Sequence, residues 1–240
     1  MLIVNKVTKH TGFRKMQRCK GFTLLELMIV LAISAGIALG VVNLMVTNTT
    51  AGNNVVETVH LNQQMRTLME IMSSEIRKSG YWGAAATAGD AAPNPFGLTT
   101  VDSNPACIMF TFDDETANGI LEPATETHGF RLNNQTVERH DSGGGCSSAG
   151  SWTALSDPNE VEITTMTLTL STNCSNVSTS PISNCTVGKP GYQAPAVNDV
   201  TVKVNQVSIL ITGRSTSNPQ NALTLQDTIV IRNDSIQRAI

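Results

Sequence analysis

Charge of one sign is missing from the start of this chain, and charge of any sign is missing from the stretch that follows. Residues 1–21 hold six Lys or Arg (Lys6, Lys9, Arg14, Lys15, Arg18, Lys20) and no Asp or Glu, and from Leu27 to Val56 no residue is charged. A basic flank ahead of an apolar run stays on the cytoplasmic side and sends the far end across the membrane. Phe22–Val46 is long enough to span a hydrocarbon core of about 30 Å at about 1.5 Å per residue. Proline is absent between Phe22 and Pro93, so nothing in that interval imposes a helix break.

Other absences exclude chemistry. The four cysteines beyond the span, Cys107, Cys146, Cys174 and Cys185, contain no C-x-x-C pair, which argues against a four-thiolate metal site. The serines lack a nucleophile-elbow context. Gly143-Gly144-Gly145 follows no strand and opens no helix, so it reads as a flexible loop and not a phosphate cradle. His128, His140 and Asp141 fit no known ligand spacing. Taken together, the expectation is no enzyme and no cofactor.

What is present starts at the edge of the apolar run. Lys20-Gly21-Phe22-Thr23-Leu24-Leu25-Glu26-Leu27 joins a basic leader, a glycine, an aromatic residue and a lone carboxylate inside the hydrophobic segment. A charge at mid-membrane is disfavoured by about 2.5–3.5 kcal/mol, less near the interface, and usually has a functional reason. A plain anchor or a secretory signal, with Ala32, Ser34, Ala35 and Ala38 as small residues for cleavage, needs no such Glu.

This stretch resembles the class III signal of type IV pilins and pseudopilins. The resemblance implies cleavage between Gly21 and Phe22 by the prepilin peptidase, N-methylation of Phe22, and a subunit-docking role for Glu26, facing the Phe22 amine of a neighbouring subunit. An ion pair in low dielectric is favourable only with both partners present, so Glu26 would set register and not catalyse. The 21-residue leader is long for a type IVa-like pilin. Met16 offers a second start, and the expectation is that it is the initiator; either start leaves Phe22–Ile240.

Two further segments narrow the resemblance. Met72-Ser73-Ser74-Glu75-Ile76-Arg77-Lys78-Ser79-Gly80-Tyr81-Trp82-Gly83 is similar to the helix end of PilW-like minor pilins. Thr228-Ile229-Val230-Ile231-Arg232-Asn233 is similar to their last strand and to that of J-type pseudopilins of type II secretion. The resemblance implies a low-abundance subunit in a tip-associated minor pilin complex that primes a type IV pilus. Its partners would be other pilins, the prepilin peptidase and the inner-membrane assembly machinery. The rivals are a J-type pseudopilin and a tip adhesin using loops 83–106 and 141–160.

Removing a 21-residue leader from 240 residues leaves 219, and the formal net charge falls from −3 to −9 as six cations leave. That suits an anchor helix plus one globular domain and is a poor match for nucleic acid. The domain organisation expected is a leader at 1–21, a long helix at 22–79 with its membrane part at 22–46, and a β-rich periplasmic domain at 80–240. Past a polar joint at Thr47–Asn54, Val55, Val59, Met65, Leu68, Met69, Met72 and Ile76 form a helical stripe facing a core, with Ser79-Gly80 as the stop. Gly36, Gly40 and Gly52 are the weak points of the helix; Gly36-x-x-x-Gly40 also allows close helix packing.

Beyond a loop at 80–106 the pattern is β. Strands are expected at Cys107–Phe112, Gly129–Leu132, Thr136–Arg139, Val161–Leu170, Val200–Thr212 and Leu223–Arg232, with an Asn133-Asn134 hairpin turn. A bulge or turn is expected at Asn205-Gln206, where the apolar face switches from Val200, Val202, Val204 to Val207, Ile209, Ile211. The fold class is α+β, a long helix on an antiparallel sheet. An even cysteine count outside the cytoplasm suggests two disulfides with three possible pairings. The favoured one closes the Ser, Asn and Pro-rich loop through Cys174–Cys185 and leaves Cys107–Cys146. In the acidic run Asp113–Glu122, a solvated turn competes with calcium held by Asp113, Asp114, Asn118 and Glu122; an EF-hand register puts Thr116 and Thr125 where acids belong.

Overall fold

The computed structural model describes residues 21–88, 94–97, 99–103, 106–114, 118–147, 151–179, 181–232 and 235–238. The leader cations, Met16 and Cys19, with Glu115, Thr116 and Asn233, lie outside the described residues. The chain divides into two compact units, Met1–Gly52 and Asn53–Ile240.

Helix α1 covers Leu24–Ile76. It continues through Thr47–Asn54 because Thr47, Thr49 and Thr50 turn their hydroxyls onto the carbonyls of Asn43, Met45 and Val46, 2.8–2.9 Å away, and so satisfy themselves within the helix. Its apolar stripe differs from the expected one. Leu61, Met65, Leu68, Met69, Met72, Ser73 and Ile76 are buried, while Val55 and Val59 are exposed. The apolar face of the sheet beneath ends at Val161 opposite Leu61, so the turns before Leu61 have nothing apolar to meet. Gly80, at φ 75°, ends the helix, and its N–H donates to Thr111 O at 2.8 Å. That positive φ is a conformation glycine adopts without strain.

After a one-turn helix, α2 (Ala85–Ala88), the strands that follow form two five-stranded antiparallel sheets. The first runs β1 (Thr99–Ser103), β2 (Ala106–Thr111), β3 (Thr127–Asn133), β4 (Thr136–Ser142) and β5 (Ser151–Ala154) in chain order. Asn134 and Gln135 turn the β3–β4 hairpin with φ of 47° and 64°, a two-residue loop of the primed kind. The turn falls one residue later than expected because Asn133 still pairs with Thr136.

In the second sheet β8 (Val200–Ser215) is central. It pairs on one flank with β6 (Val161–Asn176), which in turn pairs with the short β7 (Ser183–Asn184). On its other flank β9 (Ala222–Val230) and β10 (Ser235–Arg238) lie end to end. No bulge falls at Asn205-Gln206. The β6–β8 register runs without interruption from Thr165↔Thr212 to Asn176↔Thr201, and the extra residue is Thr164 on β6. The apolar switch has another cause. Val207, Ile209 and Ile211 face the core, and Val200, Val202 and Val204 sit on the opposite face of a strand that has left the core behind.

One core joins α1 to both sheets through Met65, Met72, Phe110, Phe130, Ile163 and Ile209. Polar ties also hold the helix over it, two of them at its C-terminal end. Ser73 Oγ donates to Asp227 Oδ2 at 2.6 Å, and Arg139 Nη2 lies 3.3 Å from Glu75 Oε1.

Candidate functional site

The junction that the sequence singles out is built from Gly21, Phe22 and Thr23, just ahead of α1. Thr23 N–H donates to Glu26 Oε2 at 2.9 Å, its hydroxyl donates to the same oxygen at 3.1 Å, and Glu26 N–H returns a bond to Thr23 Oγ1 at 3.2 Å. This is a capping box: a Thr at the N-cap and a Glu three residues on satisfy each other's free amides. The signal, Thr23-Leu24-Leu25-Glu26, is legible in the sequence, yet reading Glu26 only as an intersubunit partner passes over it. The arrangement fixes the carboxylate at the first turn, beside Phe22. From Phe22 to Val46 every residue is exposed in this unit, and α1 is long and apolar enough to cross a membrane.

In the second unit the structure closes disulfides Cys107–Cys146 and Cys174–Cys185, with Cα separations of 5.9 and 4.9 Å. The first ties β2 to the glycine loop after β4. There Arg131 donates to Glu138 Oε2 at 2.6 Å and to Cys146 O at 3.1 Å, while its guanidinium lies 4.2 Å from the Trp152 ring centre. The second pins the loop between β6 and β8, where Cys174 N–H donates to Thr186 Oγ1 at 2.6 Å.

Most of the hydrogen bonds of the acidic run after β2 go to backbone amides, while Asp113 Oδ1 is buried with no hydrogen-bond partner among the described residues. Asp113, 3% exposed, accepts from Gly83 N–H at 2.9 Å and Gly119 N–H at 3.0 Å through Oδ2. Glu126, also buried, accepts from Asp114 and Glu122 amides. Asn118 Oδ1 accepts from Ile120 N–H at 2.8 Å, and Asn118 Nδ2 donates to Glu122 Oε1 at 3.3 Å. Gly119 has φ +76°, and a Cβ there would stand 2.3 Å from Ala84 Cβ, so only glycine lets this loop close on Trp82, whose Nε1 donates to Gly119 O at 3.1 Å. The Tyr81-Trp82-Gly83 segment is thereby the seat of the acidic loop. Among the described residues no group of three or more His, Cys, Asp or Glu side chains is placed to hold a metal ion.

His128 stacks on Phe112 with ring centres 4.1 Å apart, and its Nε2 lies 3.9 Å from Asp114 Oδ2. Burial pushes its pKa from 6.5 down to about 4, overriding the opposite pull of Asp114, so the ring is neutral at pH 7 and the contact is not an ion pair. The ring nitrogens of His140 lie 3.0 and 3.2 Å from the carbonyls of Thr127 and Gly143, and its ring meets Trp152 edge-on. Both histidines are parts of the core. In the two loops considered for adhesion, Phe96 is fully buried, and β1 and β5 occupy Thr99–Ser103 and Ser151–Ala154.

A long helix with an apolar first half, laid on antiparallel sheets and opened by a Gly-Phe junction with an acidic cap, defines a type IV pilin-like protein. Two family comparisons agree. A prokaryotic N-terminal methylation motif matches residues 16–42, and the family described as "Prepilin peptidase-dependent protein B" matches residues 54–231. The chain belongs to the prepilin peptidase-dependent protein B family. Among solved structures it is similar to the type IV-like pilin TTHA1219 from Thermus thermophilus, at 11% identity over 72% of this chain and 96% of that one, with a TM-score of 0.34. No curated protein matches.

Proposed function

We propose that this chain is a PilW-like minor pilin that takes part in initiating a type IV pilus, within a tip-associated complex of minor pilins. In this reading the prepilin peptidase cuts between Gly21 and Phe22, Phe22 is N-methylated, and the protein waits in the inner membrane with its disulfide-bonded domain outside. The observation that carries the reading is the Thr23–Glu26 box. It presents a carboxylate at the head of an uncovered apolar helix, next to the position where cleavage creates an amine. Two such helices side by side can exchange partners, the carboxylate of one meeting the Phe22 amine of the other in low dielectric, where a complete pair is strong and a broken one costly. Family membership implies a structural protein and no catalysis.

Gene deletion tests this when scored for sheared surface pili and for secreted-enzyme activity together. Lost pili with normal secretion is the expected result. Lost secretion with normal pili would transfer the chain to the J-type pseudopilins, and no change in either would remove the priming role.

A further inference from the structure

The two ends of the second unit carry complementary surfaces. Along the helix, Gly213 of β8 lies beneath Met65, and Asp227, paired with Ile209 of β8, bonds Ser73. Descending β8 therefore follows ascending α1. Past Ile209 the strand runs nine residues further to Val200, roughly 30 Å at about 3.3 Å per residue, while α1 has three residues left, about 4.5 Å. The β6–β8 ribbon thus overshoots the helix by roughly 25 Å at the end away from Asn53, where the chain arrives from the apolar segment.

The overshooting end is a stiff knob. Its loop is held by Cys174–Cys185, by Gln193 N–H to Asn184 O at 2.8 Å and by Asn184 Nδ2 to Pro190 O at 3.0 Å. It exposes Ile182, Val187 and Val197 by 66, 80 and 71%. From Ile163 to Asn198 the single charged residue is Lys189, which is exposed and has no ion pair among the described residues. A tip already held rigid binds with little ordering cost.

The opposite end has a cleft of about 200 Å³ between α1 and the β6–β8 ends, lined by Glu57, His60, Leu61, Glu160 and Val161 among others. Among the described residues, Glu57 Oε2 is buried there without a hydrogen-bond partner and the Glu160 side chain bonds the Gln64 side-chain amide alone. A buried carboxylate oxygen with no donor is costly unless a partner supplies one. Leu61 and Val161 give the cleft apolar walls.

We propose that these surfaces meet: the knob of one copy seats in the cleft of a second copy, with Lys189 reaching Glu57 and Glu160 and Val187 against the apolar wall. Charge complementarity selects the occupant. In a mature chain of formal charge −9, the knob brings the exposed Lys189, with Lys203 across from Cys174 at its base, against one carboxylate, Asp199, that already accepts from Asn176 Nδ2 and Ala196 N–H, so this end is where one copy can approach the carboxylates of the next. A contact between two different patches of the same chain is heterologous: it closes into a ring if its rotation allows and otherwise repeats as an open helical array. The inference rests on the proposed reading of this chain as a pilus-assembly subunit and requires that assembly to hold neighbouring copies of it.

The test uses the full chain in membranes, as two differently tagged copies, one with Val187→Cys and one with Asn159→Cys in the cleft, exposed to a mild oxidant. A disulfide-linked heterodimer is expected, well above the background of copies without added cysteines. Adding Lys189→Glu to the first copy should lower it at least fivefold, and adding Glu160→Lys to the second should restore it. Mass measurement of both native disulfides confirms that each variant is folded. No heterodimer above background, or yield indifferent to both charge reversals, overturns the proposal. A charge-sensitive crosslink in a strain whose deletion leaves piliation normal keeps this contact and removes the assembly reading; lost piliation without the crosslink does the reverse.

Discussion

Glu26 has two claims on it, one within its own chain and one proposed between chains. In the isolated chain its carboxylate closes the cap with Thr23. Glu26→Ala is expected to leave cleavage at Gly21 intact and to reduce incorporation strongly, read from immunoblots of membranes and sheared filaments; normal amounts in filaments would end the docking role. Thr23→Ala removes only the cap, worth about 1 kcal/mol, and should lower incorporation less. His128 titrates near 4 in the fold against 6.5 unfolded. Below pH 6.5 the unfolded chain takes up a proton that the folded chain refuses. Stability is therefore full above pH 6.5 and falls toward pH 4 by up to about 1.4 kcal/mol per pH unit. Melting temperature against pH should show this slope, and His128→Phe, which keeps a ring on Phe112, should flatten it; an unchanged slope would assign the acid sensitivity to carboxylates.

Among the elements, the Cys174–Cys185 loop is the one whose loss should be felt locally. The cysteines are 11 residues apart, a closure worth about 3 kcal/mol in the chain-entropy account. Replacing both with Ser should speed amide exchange in 177–199 and leave that of Met65–Ile76 unchanged, because the helix contacts β8 only on the near side of the overshoot. Faster exchange throughout would show that the arm and the core fold as one piece. How far the elements could be read from sequence follows the same division. The strands from Val161 and from Leu223 were legible because one face is buried and alternation survives. Val200–Val204 misled because that stretch of β8 has lost its core, and alternation there reports the other face. Val55 and Val59 carry a helical period but face water, since periodicity records which residues align and not whether a partner lies opposite. The N-terminal junction was legible because charge, glycine and apolar length each leave a mark on the sequence. The Glu57 cleft was not, as it forms from Glu57 and Glu160, about a hundred residues apart, and nothing local marks either.

At the scale of the molecule, the α+β architecture was readable from a proline-free, charge-free helix followed by alternating strands; its division into two sheets was not. That division rests on which strands pair over long separations, as β6 does with β8 across Val161↔Ser215, and no local pattern encodes such a choice. The overshooting ribbon has a mechanical consequence. β6 and β8 are joined through fifteen register pairs, from Val161↔Ser215 to Asn176↔Thr201, and antiparallel ladder bonds stand perpendicular to their strands. A force that slides one strand along the other loads all of them in shear at once, whereas a force that parts the strands from their open end breaks them one rung at a time. The knob closes one end of that ribbon, so a pull on it moves β6 and β8 together, and the load passes to the contacts that hold the ribbon in place, the β8–β9 ladder and the core beneath α1.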